Sequence, residues 1–165
     1  MGRNALFQLV TGLGSPSTSR KEDFSIATSV AAHTASVESE QRNDHFVVRN
    51  GIRCAGVHLI IDLYEAERLD DLDHIEATLR SCVDAAGATL LHIHLHHFEP
   101  NGGISGVAVL AESHISIHSW PELGYAALDV FMCGNAEPEK CVPVLRQAFN
   151  PKQVAVSELM RGQGA

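Results

Sequence analysis

Nine residues from Gly56 to Tyr64 read Gly-Val-His-Leu-Ile-Ile-Asp-Leu-Tyr, a β-branched and apolar run of strand length. The period then changes. Leu72, Ile75, Leu79, Cys82, Val83 and Ala86 recur at the three-four spacing of a helix with one buried face. Asp70 or Asp71 stands where such a helix needs its N-cap, and Gly87 stands where it needs a stop. Residues 89–98, 104–120 (broken near Ser113) and Tyr125–Met132 predict further strands. Pro100-Asn101-Gly102-Gly103 and Pro121-Glu122-Leu123-Gly124 separate them with turn chemistry. Connections this short make consecutive strands pair antiparallel. A second helix starts near Pro138, lines up Cys141, Val144, Leu145 and Ala148, and ends at Asn150-Pro151, after which residues 154–156 suggest a last strand.

The order strand, helix, three strands, helix, strand predicts an α+β two-layer sandwich, a mainly antiparallel sheet with both helices on one face. Residues 107–110 are apolar on both strand faces, so a second subunit is expected to cover what the helices leave bare. Residues 1–50 are rich in Ser, Thr and Ala without a sustained period, which predicts a flexible N-terminal extension before a domain at 51–165. Apolar patches at 24–32 and 46–48 give that extension material for docking or edge pairing.

Composition narrows the function classes. A chain of 165 residues with 45% apolar and 19% charged residues is expected to fold as one globular domain. Residues 1–50 carry five Lys/Arg against five Asp/Glu, whereas 51–165 carry seven against fifteen, so the whole net charge of −8 lies in the domain. A domain that acidic lacks the footprint phosphate backbones require, which argues against nucleic acid and towards a cationic ligand. Cys54, Cys82, Cys133 and Cys141 form no CxxC pair, so free thiols in a reducing cytoplasm are expected. There is no convincing signal-peptide pattern and no stretch near the ~20 apolar residues that span a bilayer, so no membrane is expected.

Two constellations invite chemistry and meet bland alternatives. His92, His94 and His96 alternate on one strand face, with His97 beside them, but no fourth ligand or HExxH-type motif accompanies them; strand histidines without a metal are expected. Cys133 and His118 sit on neighbouring predicted strands, where a Cys-His hydrolase pair is conceivable, although an isolated cysteine is more often a small buried hydrophobe.

The run from Phe98 through Glu112-Ser113-His114, His118-Ser119-Trp120-Pro121-Glu122 and the strand end Phe131-Met132-Cys133-Gly134 is more specific. It resembles the prokaryotic short-chain S-adenosylmethionine decarboxylases, pyruvoyl-dependent enzymes, from about Gly56 to Gly162. Ser119 stands where the family block usually has threonine, which keeps the hydroxyl, and the N-terminal extension has no counterpart. The resemblance implies cleavage between Glu112 and Ser113 into a β chain of residues 1–112 and an α chain of residues 113–165. Ser113 becomes the pyruvoyl cofactor, which forms a Schiff base with the substrate.

Further roles follow from the same resemblance. It implies that Ser105 supports processing, His118 accepts the serine α-proton and Cys133 returns a proton to the substrate. Phe98 stacks on adenine and Glu122 holds the ribose hydroxyls of S-adenosylmethionine. No metal is implied. The expected assembly is a homo-oligomer, a dimer of cleaved αβ units, in the cytoplasm, supplying decarboxylated S-adenosylmethionine to spermidine biosynthesis. A pyruvoyl-dependent ornithine or arginine decarboxylase is the alternative within the chemistry, because the scaffold alone does not fix the substrate. An unprocessed non-enzymatic relative is the alternative outside it.

Overall fold

The computed structural model describes residues 45–164. Most of the expected N-terminal extension lies outside them. Two short strands, β1 (Val47–Arg49) and β2 (Ile52–Cys54), form an antiparallel hairpin. Its turn is Asn50-Gly51, both at positive φ (51° and 77°), the residue pair that a tight hairpin turn prefers. This hairpin straddles the domain boundary expected at residue 50.

Six strands build the main sheet: β3 (Gly56–Tyr64), β4 (Leu90–His97), β5 (Ile104–Leu110), β6 (Ser113–Trp120), β7 (Tyr125–Met132) and β8 (Gln153–Arg161). They lie in the order β4-β5-β6-β7-β3-β8 and every pairing is antiparallel. Helix α1 (Leu72–Ala86) follows β3, and α2 (Cys141–Phe149) follows β7 after a 3-10 turn at Pro138–Lys140. Asp71 supplies the N-cap of α1 by accepting from the His74 amide at 3.0 Å, and Gly87 ends the helix at φ 70°.

Alternation decides the layering. Leu59 and Ile61 of β3, Ile115 and Ile117 of β6, and Leu128 and Val130 of β7 point to one side. There they bury against Ile75, Leu79 and Val83 of α1 and Leu145 and Phe149 of α2. The result is the expected α+β two-layer sandwich with both helices on one face. The opposite sheet face carries no helix and exposes Ile60, Tyr64, Val109, Trp120 and Leu159 among polar side chains.

One expectation is corrected. Residues 104–120 are not one interrupted strand but two, folded into a hairpin by a two-residue turn at Ala111-Glu112. Leu110 therefore pairs with Ser113, and the sheet gains a strand. The last strand is also longer than residues 154–156, because it pairs with β3 along its full length from Gln153 to Arg161.

Candidate active site

The β5–β6 turn sets everything that follows. With Leu110 opposite Ser113, the register carries Ser105 to a position opposite His118. Ser105 Oγ and His118 Nδ1 accordingly meet at 2.7 Å. On the other side of β6, Trp120 opposes Tyr125 and His114 opposes Phe131. Continuing that register brings Cys133, just beyond β7, opposite Glu112.

Three groups converge there. The Cys133 thiol donates to the Glu112 carbonyl oxygen at 3.0 Å, and the Cys133 amide donates to Ser113 Oγ at 3.2 Å. Glu112 itself holds φ at 62°, a left-handed conformation that costs a residue with a Cβ roughly 1–2 kcal/mol. Burial pushes the Cys133 thiol pKa up, with the nearby Glu112 and Cys54 adding to the shift and Ser113 opposing it. The sulfur is therefore a proton donor at neutral pH.

The second cluster gathers at the opposite end of β6. Phe98, Ser105, His118, Trp120 and Glu122 line a cavity of about 370 Å³, together with Asn101 and Gly103. Phe98 is 49% exposed, its ring 4.5 Å from that of His96 in an edge-to-face contact, so it is an accessible aromatic rather than a core side chain. Ser119, buried beneath the same cavity, accepts from the Ile104 amide at 2.8 Å and donates to the Leu69 carbonyl at 2.7 Å. Its hydroxyl ties the loop before α1 to β5 and β6.

All seven residues expected from sequence thus fall into two groups: Glu112, Ser113 and Cys133 in one, Ser105, His118, Phe98 and Glu122 in the other. The structure does not bring the two groups together within one chain. Five residue steps along the strand separate Ser113 from His118, about 17 Å at the rise of a β-strand. The Cys133–His118 hydrolase pair fails on the same ground, since His118 pairs with Ala127, far along β7 from Cys133. Ladder pairing sets His92, His94 and His96 opposite Val109, Val107 and Ser105. Among the described residues no group of three or more His, Cys, Asp or Glu side chains is arranged to hold a metal ion.

Sequence reasoning missed His45. Its Nδ1 lies 3.0 Å from a Glu112 carboxylate oxygen, and its carbonyl accepts from the Gly134 amide at 2.7 Å.

A family model described as S-adenosylmethionine decarboxylase matches residues 57–162. The chain belongs to that family. Among its relatives, the S-adenosylmethionine decarboxylase proenzyme of Thermomicrobium roseum is 45% identical over 112 residues, covering 67% of this chain and 97% of that protein. The proenzyme of Methanococcus vannielii is 50% identical over 110 residues, covering 65% and 89% respectively. The crystal structure of the adenosylmethionine decarboxylase from Aquifex aeolicus is similar in fold, with a TM-score of 0.59 and 35% identity over 65% of this chain and 90% of that one. The S-adenosylmethionine decarboxylase match begins three residues after the end of β2, so both site clusters lie inside it and the β1–β2 hairpin precedes it. No helix of the described residues is long and apolar enough to cross a membrane.

Proposed function

We propose that the chain is a self-processing S-adenosylmethionine decarboxylase whose first substrate is its own Glu112–Ser113 bond. The observation that carries this reading is the arrangement around that bond: a serine hydroxyl, a preceding carbonyl that accepts a thiol hydrogen bond, and a left-handed backbone at the residue supplying the carbonyl. Ser113 Oγ adds to the Glu112 carbonyl carbon, the peptide C–N bond breaks, and the nitrogen leaves as a free amine. An ester results. The Cys133 thiol donates to the oxygen on which negative charge develops during this shift. Loss of the Ser113 α-proton to an imidazole then breaks the Cβ–Oγ bond, so Glu112 departs as a carboxylate and residue 113 becomes a dehydroalanine. Water replaces its nitrogen, ammonia leaves, and a pyruvoyl group remains.

The residues present fit that group, since its precursor hydroxyl sits beside a protonated thiol at the strand end. A pyruvoyl ketone supplies a carbonyl that binds the substrate amine and takes up the electron pair released as carbon dioxide departs. Cys133 returns a proton to the substrate carbon. Phe98 offers a face for adenine stacking and Glu122 an acceptor for ribose hydroxyls at the far cavity. The acidic balance of residues 51–165 suits the sulfonium charge of the substrate.

The imidazole that accepts the α-proton is assigned to His118, with Ser105 fixing its ring. Because about 17 Å separates His118 from Ser113 within one chain, the completed site draws on two copies. Their helix-free sheet faces meet, and each site joins Ser113 and Cys133 of one chain to the partner's Ser105, His118, Phe98 and Glu122. The enzyme is thus a homodimer of cleaved αβ units acting in the cytoplasm, and its product feeds spermidine biosynthesis. Assay of the purified protein with carboxyl-labelled S-adenosylmethionine, ornithine and arginine tests the substrate. Carbon dioxide is expected from the first alone; release from arginine or ornithine instead would reassign it.

A further inference from the structure

The β1–β2 hairpin lies ahead of the family match, yet one of its flanking residues touches the side chain of Glu112, on one side of the processing bond. His45 Nδ1 stands 3.0 Å from the Glu112 side-chain carboxylate. The same residue's carbonyl accepts from the Gly134 amide at 2.7 Å, directly after Cys133. His45 therefore bridges the residue that supplies the attacked carbonyl and the strand end that supplies the thiol.

The bridge is not an accident of a loose terminus. Arg49 on β1 pairs with Glu139 at 2.8 Å, the Arg53 guanidinium stacks 4.0 Å above the Phe46 ring, and Ala55 donates to the Arg161 carbonyl at 2.8 Å. These contacts fasten the hairpin along its length to the 3-10 turn before α2 and to β8. Gly134, at φ 61°, lies close under the imidazole, where a Cβ would come within 3.5 Å of Nδ1. The ring is thus seated over the end of β7 with its nitrogen directed at Glu112.

We propose that His45 is a positioning residue for self-cleavage, holding the Glu112 carboxylate so that the Glu112 backbone stays left-handed and its carbonyl stays under the Cys133 thiol. This rests on the self-processing reading above. Glu112 has no glycine-like freedom to adopt its φ of 62° unaided, and a side-chain anchor biases the turn towards the geometry in which the carbonyl faces both Ser113 and the thiol. After cleavage the same imidazole faces a Glu112 that carries a second, newly formed carboxylate, and it keeps that severed end seated beside Gly134.

The test follows the appearance of the 113–165 fragment over time in freshly synthesised full-length chain, by denaturing mass spectrometry. His45→Ala is expected to slow cleavage about two- to fivefold, the range a half-exposed polar side-chain pair supplies. His45→Asn is expected to recover most of the rate, because its amide nitrogen occupies nearly the place of Nδ1. In a Glu112→Ala background, His45→Ala is expected to add no further slowing, since the partner it holds is gone. Thermal unfolding of each variant separates loss of fold from loss of positioning. An unchanged rate in folded His45→Ala, an Asn variant as slow as Ala, or full slowing in the Glu112→Ala background would each overturn the proposal. A wild-type chain that never cleaves fails the self-processing reading itself, whereas normal wild-type cleavage with an indifferent His45 fails only this one.

Discussion

In the proposed mechanism Cys133 does two things with its thiol proton: it steadies the Glu112 carbonyl during self-cleavage and later hands a proton to the substrate carbon. Both need the thiol form. Burial first, then Glu112 and Cys54, push its pKa above the ordinary thiol value, so the donor proton is retained through neutral pH and lost only as pH rises through that raised value. The turnover number of mature enzyme is accordingly expected to hold level through neutral pH and to fall on the alkaline side. A fall beginning below the ordinary thiol range would contradict the assignment. Cys133→Ala introduced here is expected to keep the fold and lose about a hundredfold or more of decarboxylation, with slower processing as a second effect. His118→Ala is expected to stall later than Ser113→Ala. The first should accumulate an ester that hydroxylamine cleaves between residues 112 and 113, whereas the second should give a chain that hydroxylamine leaves intact. Of these residues, the sequence carried the identities of Ser113, His118 and Cys133 through one dense motif. It did not carry His45, because a lone histidine before a short strand has no spacing signal, and only the folded hairpin brings it to Glu112.

At the level of elements, two turns do the positioning. Ala111-Glu112 sets Ser105 against His118, and the turn from Trp120 to Tyr125 sets Cys133 against Glu112. A slip of one residue in either would turn that ladder over and separate the pair it sets. Gly106 guards the neighbouring register: a Cβ there would run into the His94 carbonyl oxygen and the Leu95 side chain of β4. Gly106→Ala is expected to spread β4 from β5, loosen Phe98 and Ser105, and lower both the thermal midpoint and the processing rate. An alanine variant with wild-type values for both would show that the β4–β5 approach is not limiting. The strands and helices with strong periodicity, β3, α1, β7 and α2, were legible because a single buried face dictates each. The β5–β6 turn was not legible as a hairpin, since Ala-Glu carries none of the Gly or Asn chemistry that usually marks one, and its left-handed residue is a glutamate. The β1–β2 turn did carry that chemistry in Asn50-Gly51, but its three-residue strands are too short to give a pattern. The end of β8 reads as polar because it is an exposed edge; pairing with β3, not hydrophobicity, extends it to Arg161.

For the whole molecule, one sheet face is buried by helices and the other leaves Ile60, Val109, Trp120 and Leu159 exposed, the face on which the proposed second copy would pack. The split of the site residues between the two ends of β6 would give that second copy a chemical role. Co-expression of Ser113→Ala with His118→Ala chains tests this: mixed dimers hold one site with Ser113 from one chain and the partner's intact His118. Cleavage is expected to reappear in part of the His118→Ala chains and never in the Ser113→Ala chains; no cleavage in verified mixed dimers would confine each site to a single chain. The central claim, that the chain cuts itself at Glu112–Ser113 to make its own carbonyl, is tested most directly by the intact mass of the denatured wild-type protein. Two fragments are expected, residues 1–112 and 113–165, the second lighter by the mass of one ammonia than the same fragment with a serine N-terminus. A single uncut mass, or a 113–165 fragment that begins with an ordinary serine amine, would contradict it.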